Sequence, residues 1–285
     1  MKNEFEFVKL NFEDVKTLVK WADDEGWNPG PYDAEVYYKT DPDGFYGFYK
    51  NDELIAGGSI VSYNGEFGFM GFFIVKPKYR ANGLGRDLWY MRRDTLLERL
   101  NPNASIGMDG VVDMQPFYKK GGFEIAFRDL RYEVIGGEFT TDKNISPITK
   151  FDYDEILNYD KECFGFDRSN FMLNWLGMPE VKAFKYFDEN KLKGFVIVRK
   201  ANSGFKICPL FADDFNTADE LYKAASNSVS GNLLYLDIPI VNTDAKKLVE
   251  KYNMKYVFEC ARMYYGTPPE VPLNKIFGIT TFELG

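Results

Sequence analysis

The stretch Val75-Lys76-Pro77-Lys78-Tyr79-Arg80-Ala81-Asn82-Gly83-Leu84-Gly85-Arg86 constrains this chain more than any other. An apolar run from Phe69 to Val75 leads into it, and an amphipathic segment from Asp87 to Leu100 follows. The order reads as strand, glycine-bearing turn, helix start. Gly83 and Gly85 allow unusual dihedrals and close backbone approach. Such a turn aims several N–H groups at one point, at the positive end of a helix dipole, and a phosphate is the natural occupant. Lys76, Lys78, Arg80 and Arg86 gather around it in a protein whose net charge is −8.

That acidic balance argues against a nucleic-acid footprint, which needs a basic face. The chain has no histidine. Ser-His and Cys-His nucleophiles, His-based metal sites and imidazole bases are therefore excluded, and no metal ligand set is expected. Proton transfer must use carboxylates, Tyr, Lys, Cys or water. Cys163, Cys208 and Cys260 are far apart and form no CxxC, so free, buried thiols in a reducing compartment are expected. No apolar run reaches membrane-spanning length, and Met1 to Glu4 lacks a signal-peptide core. A cytoplasmic protein with no membrane partner is the expectation, with an oligomer possible.

A chain of 285 residues is comfortable for two domains. Glu4 to Leu10 alternates as a short strand, and Asn11 to Asp24 carries apolar residues at helical spacing. Glu25-Gly26-Trp27-Asn28-Pro29-Gly30-Pro31 is a rigid turn, and Asp33 to Lys39 a short helix. Strands over 44–50, 53–62 and 66–75 are joined at Asn51-Asp52 and Asn64-Gly65, both hairpin signals. After the helix, 104–111, 115–120 and 123–135 read as strand, short helix and strand. The pattern predicts an α/β fold with a mixed sheet flanked by helices. Gly136 to Asn144 is polar and marks a boundary, giving domains 1–137 and 138–285. The second repeats the first. Leu54 to Gly57 finds an echo in Leu192 to Gly194, Ile106 to Asp109 in Leu234 to Asp237, Tyr118 to Phe123 in Val249 to Met254, and Arg131-Tyr132 in Arg262-Met263. At the critical turn the copies differ. Asp213-Asp214-Phe215-Asn216-Thr217-Ala218 carries two aspartates and no glycine, so the second copy is expected to have lost the anion site.

Arg80-x-x-Gly83-x-Gly85, preceded by Val75-x-Pro77, resembles the acyl-CoA-binding motif of the GNAT acetyltransferases. Phe117-Tyr118-Lys119-Lys120-Gly121-Gly122-Phe123 resembles that family's terminal Tyr-x-x-x-Gly-Phe segment. The resemblance spans about residues 4 to 135, and the second half resembles the degenerate GNAT-like domain of tandem, YitH-like members. It implies two tandem GNAT-like domains and acetyl-CoA as cosubstrate. Ala81, Asn82, Gly83, Leu84, Gly85 and Arg86 would cradle the pyrophosphate through backbone N–H groups, with Arg80 or Arg86 adding charge. Phe73, Ile74 and Val75 would pair with the pantetheine arm as an added strand, and an N–H near Ile74 would polarise the thioester carbonyl. Tyr118 would protonate the departing thiolate. Val111 stands where many relatives carry Asn.

The base that takes the amine's proton is left open by the sequence. Candidates are Glu66, Asp109 in mid-strand, Glu25 in the Trp27 turn, and a water chain. Trp21, Trp27, Tyr32 and Tyr37 could line an acceptor pocket, and Arg168, Trp175 and Tyr264-Tyr265-Gly266 could close over it. The expected activity is direct transfer of acetyl from acetyl-CoA to a primary amine of a small molecule. The alternatives are an inactive acyl-CoA-binding regulator and an acetyltransferase acting on protein lysines or N-termini.

Overall fold

The computed structural model describes residues 5–81 and 83–285. Its first half opens with β1 (Glu6–Lys9) and α1 (Phe12–Asp24). The Asn11 and Asp14 side chains each accept the other's backbone N–H at 3.1 and 3.0 Å, a capping box that starts the helix. Val15, Leu18 and Ala22 turn inward. Next come α2 (Asp33–Thr40), β2 (Phe45–Lys50) and β3 (Glu53–Tyr63). Asn51 and Asp52 close the β2–β3 hairpin with φ of 48° and 61°, the left-handed pair a two-residue turn of this kind requires. β4 (Phe67–Val75), α3 (Leu84–Arg99), β5 (Ser105–Val111), α4 (Gln115–Lys120) and β6 (Glu124–Ile135) complete the half in the expected order.

The second half repeats it element for element: β7 (Ile145–Pro147), α5 (Tyr153–Phe164), α6 (Ser169–Leu176), β8 (Lys182–Asp188), β9 (Lys191–Lys200), β10 (Phe205–Ala212), α7 (Phe215–Asn227), β11 (Leu233–Pro239), α8 (Thr243–Lys251) and β12 (Lys255–Tyr265). Glu189 and Asn190 close β8–β9 with φ of 51° and 59°, repeating the first hairpin. A last strand, β13 (Ile276–Gly278), and the tail to Gly285 have no counterpart.

The strands form one sheet in the order β1-β2-β3-β4-β5-β12-β6-β11-β10-β9-β8-β7, with β13 beside β10. β4–β5 and β10–β11 are parallel, and the other pairs are antiparallel. β12 lies between β5 and β6, so each half gives its last strand to the other. Two buried ion pairs mark the exchange. Arg262 on β12 grips Asp109 on β5 at 2.8 and 2.9 Å, and Arg131 on β6 grips Asp237 on β11 at 2.6 and 2.7 Å. The repeats we propose at 1–137 and 138–285 are therefore units of sequence whose strands interleave across the seam.

β4 sends Phe67, Phe69, Phe72 and Ile74 to a core shared with α1, α2, α5 and α6, where Tyr37 stacks on Trp175 at 6.1 Å. Met70 and Phe73 point to the other side, where Trp89 and Leu96 of α3 and Tyr118 of α4 lie. All three cysteines are free and buried. Among the described residues no helix is long and apolar enough to cross a membrane.

Candidate active site

β4 and β5 pair only where Phe67–Phe69 meets Ser105–Gly107, and beyond that point they part. β4 also bulges against β3. Ile74 faces Gly57 and Gly71 faces Ser59, so Phe72 and Phe73 share Gly58. Phe72 sits at φ 49°, a costly conformation for a bulky residue. A bulge frees a peptide from the ladder and re-aims its neighbours. The result is a wedge with an unladdered edge of β4 facing into it from Met70 onward.

Arg92 of α3 lies under the bulge. Its Nη2 donates to the Ser59 carbonyl and, at 2.7 Å, to the Gly71 carbonyl. Its Nε and Nη1 have no partner among the described residues, and burial lowers its pKa to about 9. The sequence reading missed it, although it falls on the inward Leu88–Arg92–Leu96 stripe, where an arginine needs an explanation.

The glycine turn closes one end of the wedge. Gly83 caps α3 at φ 80° with no side-chain cap, and a Cβ there would meet nothing within 4 Å. Ala81 is also left-handed, at φ 67°. A Cβ on Gly85 would touch Phe73 and Val75 at 3.5 Å. Leu84 is buried beneath the turn. Arg80 donates to the Val75 carbonyl at 2.8 Å and pairs with Glu25. Arg86 is exposed beside Asp87. Lys76 and Lys78 both bind Glu53, which they pull down to about 2, so part of the basic cluster is already answered. Asn82 lies outside the described residues.

A cavity of about 80 Å³ occupies the wedge, between Met70–Phe73 of β4, Met108 to Val111 of β5 and Tyr118. Tyr118 is buried, with its ring 6.3 Å from Phe73 and 6.1 Å from Trp89. Burial pushes its phenol pKa up, and the Arg92 charge opposes this only in part. At neutral pH it is a proton donor.

Two of the carboxylates named from sequence are already paired with arginines, and the third lies away from the wedge. Asp109 lines the cavity but is held bidentately by Arg262, while burial raises its pKa to about 6. Its repeat, Asp237, has the same bond to Arg131, and this fits a structural role for both. Glu25 carries Arg80. Glu66 is exposed at the Tyr63–Glu66 turn, where β4 and β5 are still joined. Trp27 reaches the cavity, and Tyr37 lies buried behind it. Arg168 and Trp175 do not cover the pocket. Arg168 binds Asp160 and the C-terminal tail, and Trp175 donates to the Cys208 carbonyl at 2.7 Å. The sequence reading missed Phe258, Phe282 and Glu283, which complete the cavity wall. It also missed Asp129, whose buried carboxyl oxygens have no partner among the described residues and whose pKa burial raises strongly.

The second half holds the same wedge, already filled. β10 and β11 pair over Phe205–Ile207 and Leu234–Leu236, then part. β13 enters there, with Gly278 facing Leu210 and Ile276 facing Phe211, and Phe277 is wholly buried. The Ile279 N–H donates to the Asp237 carbonyl at 2.9 Å, bridging to β11. The start of α7 is also taken, because the Asp214 carboxylate accepts from Thr217 N at 2.9 Å. The chain itself occupies the groove and the helix terminus.

Residues 12–123 match a family model described as the acetyltransferase (GNAT) family, and residues 156–278 match one described as an acetyltransferase (GNAT) domain. Holothin acyltransferase of Pseudoalteromonas sp. (strain SANK 73390) is 28% identical over 277 residues, covering 96% of this chain and 92% of that one. Uncharacterized N-acetyltransferase YitH of Bacillus subtilis (strain 168) is 24% identical over 288 residues, covering 98% of each. A crystal structure from Pyrococcus horikoshii superposes with a TM-score of 0.84 at 23% identity, covering 100% of this chain and 97% of that one. A tandem GNAT protein from the clavulanic acid biosynthesis pathway superposes with a TM-score of 0.66 at 11% identity, covering 94% and 100%.

Proposed function

This chain belongs to the GNAT acetyltransferases, as a tandem protein with a degenerate second domain, and from that premise we propose that its first half transfers acetyl from acetyl-CoA to a primary amine of a small molecule. Acetyl-CoA supplies an activated acyl group as its thioester. The residues present fit it. The uncapped start of α3, open at Gly83, suits a pyrophosphate, held by N–H groups of Ala81 to Arg86. The β4 edge at Phe73, Ile74 and Val75, which β5 leaves unpaired and where Arg80 holds the Val75 carbonyl, suits an amide-bearing arm that pairs as a strand. The bulge at Phe72–Phe73 breaks the β3–β4 register, and a backbone N–H freed from the ladder there would suit the acyl carbonyl. Tyr118 donates its proton to the departing sulfur.

The single observation that carries this reading is the contrast between the two wedges. One is filled by β13, and the other is left as a cavity beside an uncapped helix. The cavity is walled by Trp27, Phe258 and Phe282, which favours a small acceptor over a protein chain. A relative that bears the name of a holothin acyltransferase agrees with a small-molecule acceptor.

The test is the thermal shift on adding acetyl-CoA, comparing the native chain with Gly83→Glu. At one hundred times its dissociation constant, a ligand stabilises by about 2.7 kcal/mol, a few degrees for domains of this size. The native protein is expected to shift and the variant to lose the shift. No shift in either, with both folded, overturns the reading.

A further inference from the structure

The last ten residues act twice. β13 fills the second wedge, and the chain then crosses to the first. There its backbone is clamped. The Ser59 hydroxyl donates to the Glu283 carbonyl at 3.4 Å, the Tyr63 hydroxyl to the Leu284 carbonyl at 2.7 Å, and Arg168 to the Gly285 carbonyl at 2.7 Å. Arg168 also donates to Thr280 Oγ1 at 2.8 Å, and Thr281 Oγ1 accepts from the N–H groups of Glu283 and Leu284. A Cβ on Gly71 would lie 2.0 Å from the Glu283 carbonyl oxygen, so β4 admits the tail only because residue 71 is glycine.

This clamp holds main chain and leaves the Glu283 side chain at the cavity. Its carboxylate meets the Tyr37 hydroxyl at 3.4 Å, and Tyr37 meets Asp33 at 3.4 Å. Asp33, Asp109, Asp160 and Asp237 each carry an arginine. Among the described residues no ion pair reaches Glu283. It stands with Tyr37 on the α1–α2 side of the sheet, and Tyr118 stands with Trp89 on the α3–α4 side. The wedge lies between a proton donor and an unpaired carboxylate.

We propose that Glu283 binds the acceptor's amino group and takes its proton, the acceptor being a small primary amine with a flat apolar body. The inference rests on the transferase reading above. Trp27, Phe72, Phe258 and Phe282 supply the apolar walls. An amine arrives as an ammonium ion and is attracted to a carboxylate. One proton leaves the ammonium for solvent, which frees nitrogen's electron pair; as that pair bonds to the acyl carbon, a second N–H bond breaks and its proton goes to a Glu283 oxygen. The carbon–sulfur bond breaks, and the sulfur takes its proton from Tyr118. Exchange with solvent resets both side chains.

The charged and titratable groups facing Glu283 are Asp33 and Tyr37 of α2, Arg199 of β9, Lys206 of β10, Arg131 of β6 and Asp109 of β5. Several can shape a pH profile, so the profile is read by difference between variants.

The experiment measures CoA release from acetyl-CoA with phenethylamine, tyramine and tryptamine, and with spermidine as the polar comparison, from pH 5 to 9. Native protein, Glu283→Gln, Glu283→Asp and Gly71→Ala are compared, each with its Tm and its acetyl-CoA thermal shift. The glutamine variant keeps every backbone clamp, so it is expected to fold. Its kcat is expected to fall about 100-fold or more across the pH range, with the KM for acetyl-CoA unchanged. Glu283→Asp should recover part of the rate, and Gly71→Ala, which displaces the tail, should lose it. A Glu283→Gln rate within threefold of native overturns the inference. So does a native protein that binds acetyl-CoA yet turns over none of the arylalkyl amines, or prefers spermidine, while the cofactor reading stands. Absence of any acetyl-CoA shift overturns both.

Discussion

In the proposed reaction Tyr118 acts through one oxygen atom. The ring is fixed by Phe73, Trp89 and the bare face of Gly110, where a Cβ would lie 3.0 Å from Tyr118 Cδ2. Tyr118→Phe keeps that packing and removes the hydroxyl. We expect kcat to fall about 10²–10³-fold, with Tm and the acetyl-CoA KM unchanged, in steady-state kinetics beside thermal melts. An unchanged kcat would give the ring a packing role alone. Tyr118 was legible as a candidate because the residues that single it out, Phe117 to Phe123, are its neighbours in sequence. Glu25 and Asp109 were legible as carboxylates but not as paired ones, because their arginines lie 55 and 153 residues away. Nothing local tells a buried base from a buried ion pair.

The exchanged strands set the energetics of the seam between the halves. Arg262 and Asp109 are both nearly inaccessible, with side-chain exposures of 9% and 0%. Such a pair contributes little net stability, yet removing one partner strands a charge in the interior. Arg262→Met is expected to destabilise by about 3–5 kcal/mol, and Asp109→Leu with Arg262→Met to recover most of that, in denaturant melts. Equal losses in the single and double variants would show that the pair holds no such isolated charge. The α-helices and strands of the first half were readable from periodicity, caps and turn residues, and the short 3-10 turns at Pro77–Tyr79 and Val112–Met114 were not. The partner of β5 was not. Both repeats carry the same Asp and Arg, so pairing within a half and pairing across halves satisfy the sequence equally. The tertiary structure chooses the second.

At the scale of the whole molecule, the two repeats fold as one sheet. A fragment ending at residue 137 lacks β12 and leaves β5 and β6 with open edges, and a fragment starting at 138 lacks β6. Each alone is expected to aggregate or to melt without cooperativity. The two expressed together should form a soluble complex that elutes with the intact chain. A monomeric, cooperatively melting fragment 1–137 would contradict the exchange. The sequence by itself determined the two repeats, the glycine turn before α3 and the loss of that turn in the second copy. Each of these depends on residues within a few positions of one another, where backbone dihedrals, caps and alternation act. Only the tertiary structure decided which repeat each last strand joins, what fills the second wedge and which carboxylate faces the first. Those outcomes bring Gly71, Ser59 and Tyr37 against a tail more than two hundred residues away. Packing and buried charge select contacts at that separation, and no local pattern records them.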